Sequence, residues 1–214
     1  MVRIITIDRE YGCGAAEIAR KLSSRLGWKL WDQLLTEKIA RLAHCRHAAI
    51  AEREERRDSL YRRLLHSFAL GSYEGSGGVY PVEALDADRI FKFSEHVVNE
   101  AAAEGNCVIV GRGSQHFLRE RQGTLRFFLH APKEEKVQRL IAQGNTQARA
   151  QALVDTVDRE RRAFIKRYFH VEWPNRSIYH AMVNTAAGDL QVIKTILSFF
   201  GENQATGANL SIAN

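Results

Sequence analysis

Hydrophobic and polar positions along the chain predict short buried strands that alternate with helices. Apolar, β-branched residues dominate positions 3–8 and indicate a first strand. A glycine-bearing turn follows, and the apolar residues of 15–26 recur at helical spacing before Gly27, the residue type that commonly closes a helix. A strand, a glycine loop and a helix in so short a stretch are the beginning of an α/β unit.

The same alternation continues to the end of the chain. Short strands that alternate with helices predict an α/β domain, a parallel sheet covered on both faces, over residues 1–204. The small, polar tail at 205–214 is predicted to be disordered. Further strands are predicted at 28–31, 107–110, 125–129 and 181–185, and helices at 32–43, 48–70, 88–104, 133 onward, 155–169 and 189–200.

Composition is that of an ordinary globular protein, and the apolar runs and cysteines indicate its cellular compartment. Hydrophobic residues make up 45% of the 214 residues and charged residues 26%, which suits one well-buried core. No apolar run reaches the length of a membrane span, and the first residues lack the pattern of a cleaved leader. The three cysteines are odd in number and widely spaced. This pattern favours free thiols in a reducing compartment. We therefore expect a cytoplasmic protein with no membrane partner.

The net charge of +6 is open to two interpretations. Lysine and arginine could bind the phosphates of a nucleotide or the backbone of a nucleic acid. The 25 acidic residues are interspersed with the basic ones, so charge alone does not choose between them. Nucleic-acid binding remains the less favoured alternative.

The glycine loop, residues 9–14, is the first candidate for phosphate chemistry. Gly12 and Gly14 would let backbone N–H groups turn toward an anion at the positive end of the following helix. Against the pattern G-x-x-x-x-G-K-[ST], however, Arg9 stands in place of the first glycine and Ala15 in place of the lysine. Glu17 lies close to the usual hydroxyl position. Taken alone, the loop could equally be an ordinary glycine turn.

Several segments together resemble the cytidylate kinase-like family. Residues 4–19 are similar to the family's opening "ITISREYGSGGREIA", and residues 106–113 to its "NCVIVGRG". Trp31-Asp32 resembles its "YD" step, and 158–161 the "DKxR" of its lid helix. Segments 127–132 and 179–185 resemble its last two strands. The segments follow the family's order, and they span residues 3 to about 200.

The resemblance implies a P-loop kinase-like domain of three layers. Its expected parts are five parallel strands, a helical insertion at about 44–104 that contacts the acceptor nucleotide, and a lid at about 139–170. ATP and Mg²⁺ would serve as donor and metal, a cytidylate-type monophosphate as acceptor, and no residue is assigned as a metal ligand. The cofactor-binding residues would be Arg9, Glu10, Tyr11, Gly12, Cys13, Gly14, Ala15, Ala16 and Glu17.

Further roles follow from position in the family pattern. Arg112 would hold the acceptor phosphate, because a guanidinium binds phosphate with two parallel hydrogen bonds. Asp155, Asp158 and Arg161 share one helical face: Asp158 and Arg161 would be catalytic, and Asp155 would bind substrate. Asp32 would orient the acceptor. The alternatives are a surface arginine, a salt-bridged helix surface and a simple helix cap.

One departure from the family's pattern leaves two hypotheses about function. The family carries an arginine where this chain has Ala16, so neither that arginine nor the usual lysine is present. Arg9 or an arginine among 159, 161 and 162 would have to neutralise phosphate charge, on which phosphoryl transfer depends. The leading hypothesis is an ATP-dependent nucleotide kinase; the alternative is a catalytically silent nucleotide-binding or regulatory protein. The base of the acceptor and the oligomeric state are not predicted.

Overall fold

The computed structural model describes residues 1–32, 34, 35, 38 and 87–210. The predicted helix 48–70 and most of the insertion at 44–104 lie outside these residues. The strands are β1 Ile4–Arg9, β2 Lys29–Trp31, β3 Cys107–Val110, β4 Thr124–His130 and β5 Ala181–Asn184. The helices are α1 Ala15–Leu26, α2 Ala87–Glu104, α3 Ser114–Phe117, α4 Lys133–Ala142, α5 Gln147–Phe169 and α6 Asp189–Leu210, with short 3-10 turns at Arg176–Ile178 and Thr185–Ala187.

All strand pairings in the sheet are parallel, in the order β2-β3-β1-β4-β5. This arrangement confirms the predicted α/β class and five-stranded parallel sheet. β1 lies at the centre, with β3 on one side and β4 on the other. The chain thus runs from β1 at the centre to β2 at one edge, returns through β3, and continues to β4 and β5 on the other side of β1. Ligands of open α/β sheets bind at such a switch point, beyond the carboxyl ends of the strands.

Alternate residues of β1 point to opposite layers of helices. Ile5 and Ile7 are fully buried with apolar residues of α1 and α6, whereas Ile4 packs with α2. On the same side as α2, Phe128 of β4 packs with aromatic residues of α5 and the segment after it. Because both faces are covered, the strands read as continuous apolar runs, which explains why the sequence predicts most of them within one or two residues.

The last helix is longer than predicted. α6 continues to Leu210, past the predicted end at residue 200, and the chain has no proline after Pro174 to stop it. The predicted disorder of 205–214 stays a prediction. In a second difference, α5 begins at Gln147, eight residues before its predicted start, with Thr146 as its N-cap. No helix of the described residues is long and apolar enough to cross a membrane.

A matched pair of leucines tests where the core lies. Leu129 of β4 is fully buried, whereas Leu190 of α6 is 60% exposed. We expect Leu129→Ala to lower the free energy of unfolding by about 2–5 kcal/mol, through lost burial and the cavity left behind. Leu190→Ala should change it by less than about 0.5 kcal/mol. Urea denaturation measures both; equal losses would contradict this assignment of the core.

Candidate anion site at the strand ends

The candidate site lies where the chain leaves β1, β2 and β3. The glycine loop follows β1, Asp32 follows β2, and the turn Gly111-Arg112-Gly113 follows β3. Parallel strands bring their carboxyl ends to one edge, so these three segments are neighbours although they are distant in sequence.

Helix α4 covers the glycine loop closely. Gly12 and Gly14 have φ values of +80° and +81°, the left-handed region that favours glycine. A Cβ atom on Gly12 would lie 3.1 Å from Cβ of Lys136 and 3.2 Å from its carbonyl oxygen. Gly12 is therefore required for its backbone conformation and for the close approach of α4.

Polar groups from other elements form hydrogen bonds with the backbone of the glycine loop. The N–H of Tyr11 donates to Oδ1 of Asp158 at 2.8 Å. The carbonyl oxygen of Cys13 accepts from Nη1 of Arg139 at 2.8 Å and from Oγ1 of Thr185 at 2.7 Å. A carboxylate thus already occupies one amide of the kind that binds phosphate in such loops.

A buried ion network surrounds that carboxylate. Asp158 lies 3.2 Å from Nη1 of Arg161 and 3.6 Å from Nζ of Lys136, and Lys136 also lies 2.8 Å from Oε2 of Glu10. Side-chain exposure is 9% for Lys136, 10% for Arg161 and 13% for Asp158. Burial raises the pKa of Asp158 above its ordinary value, while Arg161, the Tyr11 amide and Lys136 act in the opposite direction.

Two further arginines are buried beside this network. Arg9 is 5% exposed and Arg112 is 6% exposed. Burial, followed by the charge of Arg161, lowers the pKa of Arg9 to about 10. Burial, followed by the charge of Arg9, lowers the pKa of Arg112 to about 9, and the Asp32 carboxylate raises both. The guanidinium groups remain charged at neutral pH, so the lowered pKa values express the cost of burying like charges together. An anion placed among them would offset that cost.

The turn after β3 is shaped around these arginines. Its three residues, including the non-glycine Arg112 at φ +60°, have positive φ. A left-handed conformation costs an L-residue roughly 1–2 kcal/mol, so the fold holds Arg112 in place against local preference. A Cβ atom on Gly111 would overlap the guanidinium of Arg9. Any other residue at 111 would have a strained left-handed backbone and would displace the Arg9 guanidinium.

Asp8 of β1 connects the site to three other segments through side-chain hydrogen bonds. Its Oδ2 accepts hydrogen bonds from Nε2 of Gln115 at 2.9 Å, from Nε1 of Trp173 at 2.7 Å and from the hydroxyl of Tyr179 at 2.7 Å. Burial and then the Asp8 charge raise the pKa of Tyr179, so the hydroxyl stays protonated as a donor. Asp8 thereby ties β1 to α3, to the segment after α5 and to the residues before β5. The family opening has serine at this position, so neither the resemblance nor the pattern assigned Asp8 a role.

The structure brings most of the predicted site residues together. Glu10, Tyr11, Asp158 and Arg161 share contacts at the loop, and Arg9, Arg112 and Asp32 interact electrostatically beside them. Gly12, Cys13 and Gly14 form the loop itself, and Ala15 and Ala16 lie in the first turn of α1.

Two predicted residues lie elsewhere. Asp155 forms an exposed ion pair with Lys133, with Nζ to Oδ1 at 2.7 Å; its substrate role stays a prediction. Glu17 pairs at 2.6 Å with Arg20, whose hydrogen bond lowers the pKa of Glu17 to about 2. The Glu17 carboxylate thus faces the surface of α1 and not the interior of the loop.

Two cationic residues of the site were missed from the sequence. Lys136 and Arg139 come from α4, more than 120 positions after the loop that they contact. Their spacing of three residues places them on one face of the helix. In the sequence they were part of an ordinary charged helix, because nothing local shows that this face packs on the glycine loop.

An aromatic group connects the turn after β3 with α5. The His116 ring stacks on Phe169 with centroids 4.3 Å apart, and Phe91 of α2 stacks on Tyr168 at 4.7 Å. Gly113 lies directly against the Phe169 ring. Burial lowers the pKa of His116 to about 4, so the imidazole is neutral at physiological pH.

The fold defines a class of protein: an α/β domain of the P-loop kinase type, with a five-stranded parallel sheet. Within that class, the chain belongs to the cytidylate kinase-like family, whose model matches residues 4–187. This confirms the family resemblance drawn from the sequence. No curated protein matches the chain.

Solved structures agree with this assignment of the fold. An uncharacterized protein from Eubacterium ventriosum matches with a TM-score of 0.63 and 20% identity, covering 94% of this chain and 99% of that one. A shikimate kinase from Bacteroides thetaiotaomicron matches with a TM-score of 0.51 and 13% identity, covering 93% and 98%. A gluconokinase from Sinorhizobium meliloti has the same TM-score of 0.51 and 13% identity, covering 96% and 97%. At these identities the likeness establishes the fold alone.

Gly111 and Gly27 form a matched pair that tests the close contact between the Arg9 guanidinium and the turn after β3. Gly111 and Gly27 have φ values of +66° and +64°, and a Cβ atom on Gly27 would meet nothing within 4 Å. Alanine at either position should lower the free energy of unfolding by roughly 1–2 kcal/mol, because both backbones are left-handed. Gly111→Ala should also displace the Arg9 guanidinium and weaken stabilisation by inorganic pyrophosphate. Urea denaturation with and without pyrophosphate measures both effects; an equal pyrophosphate response in the two variants would contradict the anion site.

The pKa of His116 generates a pH prediction. Between about pH 6.5, where an unfolded histidine titrates, and pH 4, the unfolded chain takes up a proton that folded His116 resists. Stability should therefore fall as the pH decreases through this window. His116→Phe, which keeps an aromatic ring, should reduce that fall in the free energy of unfolding. The matched control is His170→Phe, at an exposed histidine; an identical pH dependence in wild type and His116→Phe would refute the prediction.

Proposed function

We propose that this chain is an ATP-dependent nucleotide kinase that phosphorylates a cytidylate-type nucleoside monophosphate. The single observation that carries the proposal is the clustering of three arginines at the carboxyl ends of the strands, where Arg9 and Arg112 are buried and the Arg161 side chain is 10% exposed. Buried like charges are costly without counterions, and phosphoryl groups are among the ligands that guanidinium groups bind with two parallel hydrogen bonds.

The proposed roles follow the geometry. Arg112, held in its left-handed turn, binds the acceptor phosphate, and Asp32 beside it orients the acceptor. Arg161 neutralises charge on the transferred phosphoryl group, and Asp158 fixes Arg161 through the ion pair between them. Because phosphoryl transfer depends on positioning and charge neutralisation, a set of preorganised guanidinium groups suits this reaction.

The residues present fit the phosphates of ATP. The glycine loop and its cationic neighbours already hold a carboxylate, so their donors are arranged for an anion. Mg²⁺ bound to the nucleotide would supply additional charge neutralisation. Within the described ranges, no three His, Cys, Asp or Glu side chains gather as a metal site. Mg²⁺ in such enzymes is held by one or two carboxylates with phosphates and water, and Asp32 is a carboxylate at the proposed site.

A catalytically silent nucleotide-binding protein is the second candidate. The observation that favours it is the Tyr11 N–H, which donates to Asp158 in a loop whose cationic positions are Ala15 and Ala16. In that case the arginines would bind a nucleotide without transferring its phosphoryl group. For either function we propose a cytoplasmic location, in keeping with the buried free thiols of Cys13 and Cys107.

An ADP-release assay over a panel of nucleoside monophosphates tests the proposal. We expect turnover with a pyrimidine monophosphate, and a loss of about 10–100-fold in kcat/KM in Arg112→Ala, the range expected for charge-assisted hydrogen bonds. Arg119→Ala is the matched control, because Arg119 is exposed just after α3. Absence of turnover with every acceptor, while ATP still binds, would favour the silent alternative. Equal kcat/KM in the two arginine variants would remove Arg112 from the mechanism.

A further inference from the structure

We propose that Tyr11, Lys136 and Arg161 form a phosphate subsite in which the Asp158 carboxylate engages the donors that a phosphoryl group would use. Lys136 would thereby supply, from α4, the cation that the glycine loop lacks. The inference rests on the proposed function, because it names the residues that receive the phosphoryl groups of the donor.

The donors around Asp158 are the first support. One loop amide, one ammonium and one guanidinium reach the same carboxylate, at 2.8 Å from the Tyr11 nitrogen, 3.6 Å from Lys136 and 3.2 Å from Arg161. They come from three separate elements: the glycine loop, α4 and α5. Backbone N–H, lysine and arginine are the donors with which proteins bind phosphate. A carboxylate is the side-chain group that resembles a phosphoryl group in charge and acceptor geometry.

The placement of Lys136 is the second support. Its side chain is only 9% exposed, and the backbone of α4 at Lys136 packs on Gly12. A buried ammonium of this kind is unusual on an amphipathic helix, since the same helix could expose it. Lys133, one turn earlier, does so and pairs with Asp155 at the surface. Although the chain has alanines at 15 and 16, a lysine thus reaches the same loop from another helix.

The balance of charge is the third support. Among the described residues, five cations and four carboxylates lie around the loop and the strand ends: Arg9, Arg112, Arg161, Lys136 and Arg139, with Asp8, Asp32, Asp158 and Glu10. A single phosphate group carries a charge of about −2, so the several phosphates of a nucleotide would exceed the one surplus positive charge unless a carboxylate withdraws. Asp8 is fixed by three side-chain donors. Asp158, by contrast, lies on α5, outside the sheet, and holds donors that suit the phosphate.

Matched substitutions on α4 and α5 test the subsite with inorganic tripolyphosphate as the probe. Asp158→Asn keeps an oxygen for the Tyr11 amide but removes the charge that attracts Lys136 and Arg161. We expect it to tighten tripolyphosphate binding about tenfold, and Lys136→Met to weaken binding about 10–100-fold, the range of a charge-assisted hydrogen bond. Asp155→Asn and Lys133→Met, which break the exposed pair on the same two helices, should change binding less than about twofold. Isothermal titration calorimetry on the full chain, without Mg²⁺, measures the dissociation constants.

The outcomes separate this proposal from the proposed function. Unchanged or weaker binding in Asp158→Asn, or equal effects of Lys136→Met and Lys133→Met, would overturn the subsite even if the wild-type chain were an active kinase. Tighter binding in Asp158→Asn would support the subsite even if no acceptor were phosphorylated, and only the kinase proposal would then fail. Should Asp158→Asn not fold, Arg161→Gln serves as the second variant. It should weaken tripolyphosphate binding about tenfold, and an unchanged dissociation constant would overturn the proposal.

Discussion

The structure depends on one electrostatic constraint: three guanidinium groups and a lysine are buried where the central strands end. Burying cations together is unfavourable without counterions, and the fold provides carboxylates from four different segments. Arg9 and Arg112 interact with Asp32, and Arg161 and Lys136 with Asp158. The glycines of the loop and of the turn after β3 give these side chains room. Much of the local geometry can be explained as the means of keeping this charge cluster in place.

The same cluster supplies cations to a loop that lacks its usual lysine, and on this the proposed phosphate binding depends. In a standard loop, cation and amides come from one short segment. Here the amides belong to the loop while Lys136 and Arg161 come from α4 and α5. The two helices pack together and cover the loop with apolar residues around Tyr11 and Leu140. Charge neutralisation therefore depends on the position of these helices, and their movement would change the affinity of the loop for anions.

Asp8 shows how a residue outside the predicted site shapes it. It precedes Arg9 in β1, accepts hydrogen bonds from three side chains and adds negative charge below the arginines. Moving Asp8 would leave these three donors without an acceptor in the interior of the protein. Asp8 therefore keeps a negative charge at a fixed place beside Arg9.

The amino-acid sequence by itself determined the elements and much of the site. The strands, α1 with its closing Gly27, and the position of residues 9–14 and Arg112 at the strand ends could be predicted because they depend on local periodicity, on glycine and on motifs contiguous in the chain. The roles expected of these residues stay predictions. Only the tertiary structure decided which side chains meet the loop. Lys136, Arg139 and Asp8 are far from it in sequence or buried beneath it. Glu17 and Asp155, both predicted as site residues, face the surface instead. Packing of helices on a sheet determines which face of a helix points inward, and a single sequence does not specify which distant surface that face will contact.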